Sequence, residues 1–294
     1  MNIIEAHTEF PFGFPKASSV YKRLEIAGRT CYQSDAVNYE IRPSTEEKVD
    51  DISGNVYMAE VYDLYANDTK IGSFNELDSA AEAKMKAEFK SAEDFVRKLI
   101  DRKHEAMLEH VSLTIRFIVD RGVSHELVRH RLASFAQEST RYCNYSKGKF
   151  GNEITVIKPV FFKNIANDEF EDLQHGGFAI NFTTINPDNP DPRLQKLAQA
   201  TSWYNDCLAA ERAYLTMLSD GATPQEARSV LPNSLKTSVI MTANLREWRH
   251  FFKLRAAGVT GKPHPQMLEV TVPLLIKLRE LLPAVFDDIT PMEV

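Results

Sequence analysis

An alternation of apolar and polar residues at positions 112–119 limits the folds open to this chain of 294 residues. One set of alternate positions is wholly apolar and comprises Leu113, Ile115, Phe117 and Val119. Because successive side chains of a β-strand point to opposite faces of a sheet, this period of two predicts a strand with one buried face. Other elements must then pack on that face, so the chain folds around a sheet.

Capping residues indicate helices on both sides of this strand. Asp191 before Pro192, the run that begins at Thr223, and Asn244 three residues before Glu247 are typical of helix starts. We predict helices at 18–27 (ending at Gly28), 91–103, 125–133, 192–220, 224–231, 245–257 and 264–282. Further strands are predicted in the first residues and at 154–157 and 235–242. Helices and strands interleave without a strict βαβ rhythm, which favours an α+β fold with a mixed sheet.

Residues 34–90 are less regular and rich in Asp, Glu and Asn. Strand-like runs at 56–65 and 70–74 flank Asn67 and Asp68, which are good turn residues, so a hairpin that faces solvent is predicted there. We interpret residues 1–294 as a single domain with an insertion at about 34–90 that carries no chemistry of its own.

The bulk composition excludes several classes of protein. The formal net charge is −6, whereas non-specific binding to nucleic acid depends on excess Lys and Arg. The three cysteines are far apart and odd in number, so neither a disulfide framework nor a zinc knuckle is indicated. The N-terminus lacks the pattern of a signal peptide, and no apolar run is long enough to span a membrane. We therefore expect a cytoplasmic protein that binds neither nucleic acid nor membranes.

A basic segment at residues 129–142 is the sharpest local feature. It contains Arg129, His130, Arg131 and Arg141 in an otherwise acidic chain. Arginine presents a planar fork of donors that binds phosphate at two points, so a site for a small anionic ligand is one interpretation. A solvated basic face with surface ion pairs is the other, and composition alone leaves both open.

The sequence spacing of the histidines, acidic residues and Ser139 does not favour a metal site or a catalytic nucleophile. His125-Glu126 begins like the zinc motif H-E-x-x-H, but Arg129 stands where the second histidine belongs. His104 and His110 are six residues apart and fall on different sides of a helix. Ser139 lacks a complete set of triad partners. No G-x-G-x-x-G, P-loop or G-x-S-x-G motif is present. No metal ligand is assigned, and a metal-dependent nucleotide hydrolase is kept as the alternative function, together with a non-catalytic nucleotide-binding protein.

Four segments of the chain resemble segments of the flavin-dependent thymidylate synthases and follow one another in the same order as in that family. The first is Arg129-His130-Arg131 followed by seven residues and Ser139, then Arg141-Tyr142. The others are His104-Glu105 with Glu109-His110, Glu226-Ala227-Arg228 with Leu231-Pro232, and Asn244-x-Arg246 with Leu254-Arg255-Ala256. Together they cover most of the chain outside residues 34–90 and its middle part.

The resemblance implies a fold, a reaction and an assembly. Members of this family methylate dUMP to dTMP, with methylenetetrahydrofolate as the carbon donor and NADPH as the reductant of bound FAD. Their fold is a distinctive arrangement of helices and sheet. They are homotetramers with active sites between subunits, so the expected partners are small molecules and further copies of the chain.

The resemblance also assigns roles to residues. Arg255 is the predicted catalytic residue, because the matching arginine lies against the uracil and favours ionisation at N3. The residues predicted to bind dUMP are Glu126, Arg129, Gln137, Glu138, Ser139, Thr140, Arg141, Arg228 and Arg255. Those predicted to bind FAD are His104, Arg129, His130, Arg131, Gln137, Asn244, Arg246 and His250.

Several positions depart from the family pattern. Many members have Gln where Glu126 stands and Glu where Gln137 stands, so an acid and an amide occupy exchanged places. His250 replaces an Asn, and Cys31 replaces a Ser whose flavin contact is thereby in question. Cys143 is close to the basic segment but is not expected to act as a nucleophile.

Overall fold

A computed structural model describes residues 1–51, 55–167, 169 and 191–293. The α-helices in these residues are α1 Ala17–Tyr32, α2 Leu77–Asp101, α3 Arg121–Leu127, α4 Pro192–Ser219, α5 Pro224–Ala227, α6 Leu245–Arg255, α7 Pro265–Leu281 and α8 Pro283–Phe286. The strands are β1 Asn2–Ile4, β2 His7–Glu9, β3 Tyr39–Val49, β4 Val56–Ala66, β5 Thr69–Phe74, β6 Ser112–Asp120, β7 Ala133–Gln137, β8 Thr155–Ile157 and β9 Lys236–Asn244. Short 3-10 helices occur at Glu105–His110, Gly148–Phe150, Val160–Phe162 and Arg228–Val230. The predicted α+β class is confirmed.

The predicted strand at 112–119 lies inside a four-stranded antiparallel sheet with the order β2-β6-β9-β7. Its alternate residues Ile115, Phe117 and Val119 are completely buried. They form one core with apolar residues of α1, α2, α6, α7 and α8, including Trp248 and Phe251. The parallel pair β1–β8 forms a separate two-stranded sheet, and one antiparallel bridge joins Val156 of β8 to Leu235. The predicted mixed sheet is therefore wrong for the described four-stranded sheet, which is antiparallel throughout.

Within residues 34–90, three strands form a sheet of their own with the order β3-β4-β5, and the last residues belong to α2. The predicted hairpin is confirmed, because β4 and β5 are antiparallel and are joined by Asn67 and Asp68, both with positive φ. It is longer than predicted, since β3 pairs along the whole of β4. It is also less open to solvent, because Val61 and Leu64 are buried.

The helix starts predicted from capping residues are confirmed at three places. The Asp191 carboxylate accepts the Arg193 N–H at 2.8 Å. The Thr223 N–H donates to Glu226 Oε2 at 2.8 Å, and the Glu226 N–H donates back to the Thr223 hydroxyl, which completes a capping box. The Asn244 side chain accepts the Glu247 N–H at 2.9 Å.

Two predicted helix ends were wrong because tertiary contacts override local signals. Helix α1 does not end at Gly28 but continues to Tyr32. Gly28 is required by packing, since a Cβ there would lie 2.5 Å from the ring of Phe95. Helix α2 begins at Leu77 rather than Ser91, because its first half covers the sheet of the insertion.

The predicted helix at 125–133 was also misplaced. The Asp120 carboxylate accepts the Val123 N–H at 2.8 Å, so α3 begins at Arg121 and already ends at Leu127. Arg129, His130 and Arg131 therefore lie in turns. The next residues form β7, which pairs with β9. Ala133 and Phe135 supply its alternating apolar positions and pack against the core.

Among the described residues, no helix combines the length and the apolar character needed to cross a membrane.

Candidate functional site

The turns after α3 send the side chains of the basic segment in different directions. The Arg129 N–H donates to Glu126 O at 3.2 Å, and the His130 N–H donates to Leu127 O at the same distance. The Arg129 and Arg131 side chains are exposed, whereas His130 is buried. The segment therefore presents two cations to solvent and turns an imidazole into the core.

Arg255, at the last position of α6, meets that imidazole. Its Nε donates to His130 Nε2 at 3.2 Å, and its Nη1 donates to Glu126 Oε2 at 3.0 Å. Glu126 lies on α3 and His130 follows it, so the predicted catalytic arginine joins α6 to the segment 126–130. The structure thus brings together three residues that are far apart in the sequence.

His130 is held in its neutral form. Burial lowers its pKa to about 4, and the positive charges of Arg255 and His250 act in the same direction. Because Arg255 donates to Nε2, this nitrogen is the acceptor and the proton of the neutral ring lies on Nδ1. The ring also packs edge-on against Phe251, with centroids 4.8 Å apart.

A basic cleft of about 560 Å³ lies beside α3 and α5, and we call it the α3–α5 cleft. Its lining residues are Arg121, His125, Thr140, Gln225, Arg228, Ser229, Leu231, Pro232, Asn233 and Leu235. None of these described residues is acidic. Arg228 Nη1 donates to the Thr140 hydroxyl at 3.4 Å, and Arg141 Nε donates to Gln225 at 2.9 Å. The cleft therefore contains Thr140 and Arg228, which were predicted to bind dUMP, with Arg141 bound to Gln225 of its wall, and it is suited to a phosphate group.

Arg121 and His125 were missed by the sequence analysis although both line this cleft. Their spacing could have indicated them, because residues four apart on a helix share a face and His125 follows Arg121 by four residues. It was not used because the helix was predicted to start at 125, which left Arg121 in a turn.

Gln137 and Glu138, both predicted to bind ligands, make hydrogen bonds within the chain. Gln137 Nε2 donates to the Ser124 hydroxyl at 2.9 Å. Glu138 accepts from the Tyr145 hydroxyl at 3.0 Å and from Lys236 Nζ at 2.7 Å. Ser139 is less engaged, since its hydroxyl accepts the Arg141 N–H at 3.3 Å.

A second cleft of about 540 Å³ runs along α6, and we call it the α6 cleft. Its lining residues are Glu105, Glu109, Leu132, Asn244, Arg246, Glu247, His250 and Lys253. It gathers three residues predicted to bind FAD, namely Asn244, Arg246 and His250. His104 lies just before the 3-10 helix that supplies Glu105 and Glu109, and its Nδ1 is hydrogen bonded to the Tyr32 hydroxyl.

The donors of the α6 cleft are suited to an anionic cofactor despite the acids beside them. Burial opposes the ionisation of Glu105, but Arg249 and Lys253 lower its pKa, and their ion pairs with the carboxylate offset its negative charge. Glu109 pairs with Arg246 at 2.6 Å across an exposed surface. His250, Lys253 and the amide donors of Asn244 lie beside this pair, so the cleft can bind a pyrophosphate that shares Arg246.

Two observations concern the possible roles of Cys143 as a nucleophile and of the histidines as metal ligands. Burial raises the pKa of the Cys143 thiol, and the nearby Glu138 carboxylate raises it further, so the reactive thiolate is disfavoured. Within the described residues, no three or more His, Cys, Asp or Glu side chains are grouped so that they could hold a metal ion.

Comparisons with known proteins agree on one family. The model of the family described as thymidylate synthase complementing protein matches residues 17–284. The flavin-dependent thymidylate synthase of Corynebacterium aurimucosum is 32% identical over 204 residues, which are 67% of this chain and 70% of that protein. The protein of the same name from Geobacter sulfurreducens is 28% identical over 198 residues, 67% of this chain and 69% of its own.

A solved structure supports the fold. The UMP/dUMP methylase PolB of Streptomyces cacaoi, bound with 5-Br dUMP, superposes with a TM-score of 0.56 and 17% identity. The match covers 98% of this chain and 96% of that one.

Proposed function

This chain belongs to the thymidylate synthase complementing protein family, and from this membership we propose that it is a flavin-dependent thymidylate synthase that methylates dUMP to dTMP. It is then a methyltransferase and a flavoprotein of nucleotide biosynthesis. The alternative of a metal-dependent nucleotide hydrolase has no support, because the relatives that match most of the chain are named as thymidylate synthases.

The observation that carries the proposal is the position of Arg255. Its guanidinium is bound by Glu126 and His130, and this segment also carries His125, which lines the basic α3–α5 cleft. A pyrimidine nucleotide is recognised by separate donors for its phosphate and its base. An anion-binding cleft suits the phosphate, and a fixed cation near the cleft suits the base.

We assign the phosphate of dUMP to the α3–α5 cleft. Arg228, Thr140 and Arg121 line the cleft, and Arg141 contacts its wall through Gln225. Each charge-assisted hydrogen bond from such donors contributes roughly 1.5–3 kcal/mol. Ser139 and Arg129 are assigned to the sugar and the base, whereas Glu126, Gln137 and Glu138 support the site through the partners described above.

Arg255 then acts on the uracil. A cation beside the ring stabilises the anion that forms when N3 loses its proton, and this increases the electron density at C5. C5 is the carbon that receives the new methyl group. The neutral His130 accepts a hydrogen bond from Arg255 Nε, so it adds no competing positive charge at this point.

We assign the FAD to the α6 cleft, with Asn244, Arg246 and His250 as its principal ligands and His104, Arg129 and Arg131 beside them. When bound, the flavin supplies the hydride that reduces the methylene carbon to a methyl group. His130 is buried against Arg255 in the single chain, so its predicted contact with FAD is indirect within one protomer.

The remaining parts of the proposal are the co-substrates, the assembly and the compartment. NADPH is the proposed reductant, methylenetetrahydrofolate the carbon donor and the cytoplasm the location. A homotetramer is proposed because large apolar residues are exposed at the site itself. Leu132, next to Arg131, is 76% exposed, and Tyr142, next to Arg141, is 79% exposed, as is expected of a surface that another copy covers.

A direct assay tests the proposal. The purified protein should be yellow, should lose this colour with NADPH, and should form dTMP from dUMP and methylenetetrahydrofolate. Arg255→Ala should lower kcat by about 10²–10³, which is typical of the loss of one preorganised charge donor. Lys277→Ala, an exposed change on α7, serves as the control. A protein that takes up no flavin and forms no dTMP would contradict the proposal.

A further inference from the structure

Arg255 is held by three elements, although it is itself the last residue of α6. Contacts to its side chain come from α3 and the turn after it, through Glu126 and His130. A contact to its main chain comes from α7, where Thr271 is completely buried. Thr271 lies outside all four segments that resemble known enzymes, and nothing in the local sequence pattern distinguishes it.

The Thr271 hydroxyl links α7 to the end of α6. It donates to Arg255 O at 2.6 Å and also approaches Met267 O at 2.9 Å, one turn back on its own helix. The last carbonyl groups of a helix have no partner within that helix, so a buried one needs an outside donor. Thr271 supplies this donor at the residue whose side chain enters the site.

The side-chain contacts fix the orientation of the guanidinium. Nε donates to His130, and Nη1 donates to Glu126. Nη2 has no hydrogen-bond partner among the residues that the structure describes. Because the guanidinium is planar, fixing two of its nitrogens fixes the direction of the third. Arg255 is therefore oriented before any ligand binds.

We propose that Thr271 is a positioning residue of the catalytic site, which acts with Glu126 and His130 to hold Arg255 at a fixed distance from the pyrimidine ring. The inference rests on the proposed function, since it needs Arg255 to contact the substrate. Thr271 is buried below Arg255 and acts through its main chain, so its effect on the reaction passes entirely through this arginine.

If Thr271 positions Arg255, its removal should change the kinetics differently from the removal of a residue that binds the substrate. If Arg255 stabilises charge that develops in the transition state, a small displacement lowers kcat and leaves the KM for dUMP nearly unchanged. A misplacement of about 1 Å can lower the rate about a hundredfold. A purely structural role of Thr271 would instead lower the amount of folded protein and leave kcat per bound flavin unchanged.

The test compares Thr271→Val, which removes the hydroxyl with little change in shape, with Thr271→Ser, which keeps it. Thr271→Val should lower kcat per bound flavin about tenfold to a hundredfold, with KM for dUMP changed by less than about threefold. Thr271→Ser should recover most of this loss. Thr201→Val is the matched control, because the Thr201 hydroxyl also donates to a carbonyl one turn back, Leu197 O at 2.8 Å, but on α4.

The outcomes separate this inference from the proposed function. A wild-type protein that forms no dTMP would overturn the proposed function before any variant is compared. If the wild type is active, two results would overturn the positioning role. One is a Thr271→Val variant with the wild-type kcat per bound flavin, and the other is a Thr271→Ser variant as impaired as Thr271→Val.

Discussion

His130 illustrates at the scale of one residue how burial sets a protonation state. Its pKa is lowered to about 4 by burial first and then by Arg255 and His250, whose charges face it. Glu126 lies beyond Arg255 and neutralises part of that charge. The imidazole is therefore neutral in the folded protein well below the pKa of about 6.5 that a histidine has in the unfolded chain.

This shift predicts how stability depends on pH. Because the folded pKa is the lower one, protonation favours the unfolded chain, and the stability associated with neutral His130 is lost as the pH falls from 6.5 towards 4. The loss is about 3 kcal/mol over this range. Urea unfolding of the wild type and of His130→Gln at several pH values measures it, since glutamine keeps an acceptor for Arg255 but does not titrate. If the free energy of unfolding changed equally with pH in the two proteins, the prediction would be contradicted.

For single residues, the sequence predicted which residues belong to the site better than it predicted the hydrogen bonds between them. Arg255, Glu126 and His130 were all assigned to the site from motif positions, but the hydrogen bonds that join them depend on the packing of α6 against the turns after α3. Thr271 could not be found in the sequence, because a threonine in a helix has the same local pattern whether its hydroxyl caps a neighbouring helix or not.

Helix α6 shows how one element is fixed in place by a buried charge. Arg249 is fully buried and binds Glu105 at 3.0 Å and Asp288 at 2.6 Å. It also donates to the main chain at Val285. The network joins α6 to the 3-10 helix that lines the α6 cleft and to the residues after α8. The position of His250, the next residue, depends on it.

Removal of this arginine should therefore destabilise the protein strongly. Arg249→Met leaves the Asp288 carboxylate without its partner and leaves Glu105 paired with Lys253 alone, and breaking a buried pair in this way typically costs about 3–5 kcal/mol. Arg246→Met on the same helix is the comparison, because its pair with Glu109 is exposed and should contribute about 0–1 kcal/mol. Thermal unfolding of both variants measures the difference. A loss for Arg249→Met no larger than that for Arg246→Met would refute the role of the network.

The sequence predicted elements well where the signal is local. Asp191, Thr223 and Asn244 cap their helices through hydrogen bonds to residues two or three positions away, and these starts were predicted correctly. Gly28 and Ser91 were misread because their roles depend on distant partners. Gly28 provides room for Phe95, and Ser91 lies inside a helix whose first half packs on the inserted sheet.

At the scale of the whole molecule, the charge of the chain is unevenly distributed. Residues 34–90 contain 13 acidic and 6 basic residues of the totals of 41 and 35, so this segment has a net charge of −7 and the rest of the chain +1. The clefts proposed for the anionic ligands are lined only by residues outside the insertion. The acidic composition of the chain therefore says little about the potential at its site.

The assembly gives the last prediction. In the single chain, the residues around the site leave Leu132 and Tyr142 almost fully exposed beside Arg131 and Arg141, and a monomer would present these side chains to water at the place where ligands bind. In the proposed homotetramer, a second copy that covers them would also enclose the ligands and strengthen the charge interactions in the site. We expect light scattering after gel filtration to give about 134 kDa, four times the chain mass of 33.4 kDa. Leu132→Asp should shift this mass downwards, because a buried, unpaired carboxylate opposes association. Ile276→Asp, an exposed apolar position on α7, is the matched control for the added charge. A fully active species of one chain mass would show that the site is complete without a neighbour.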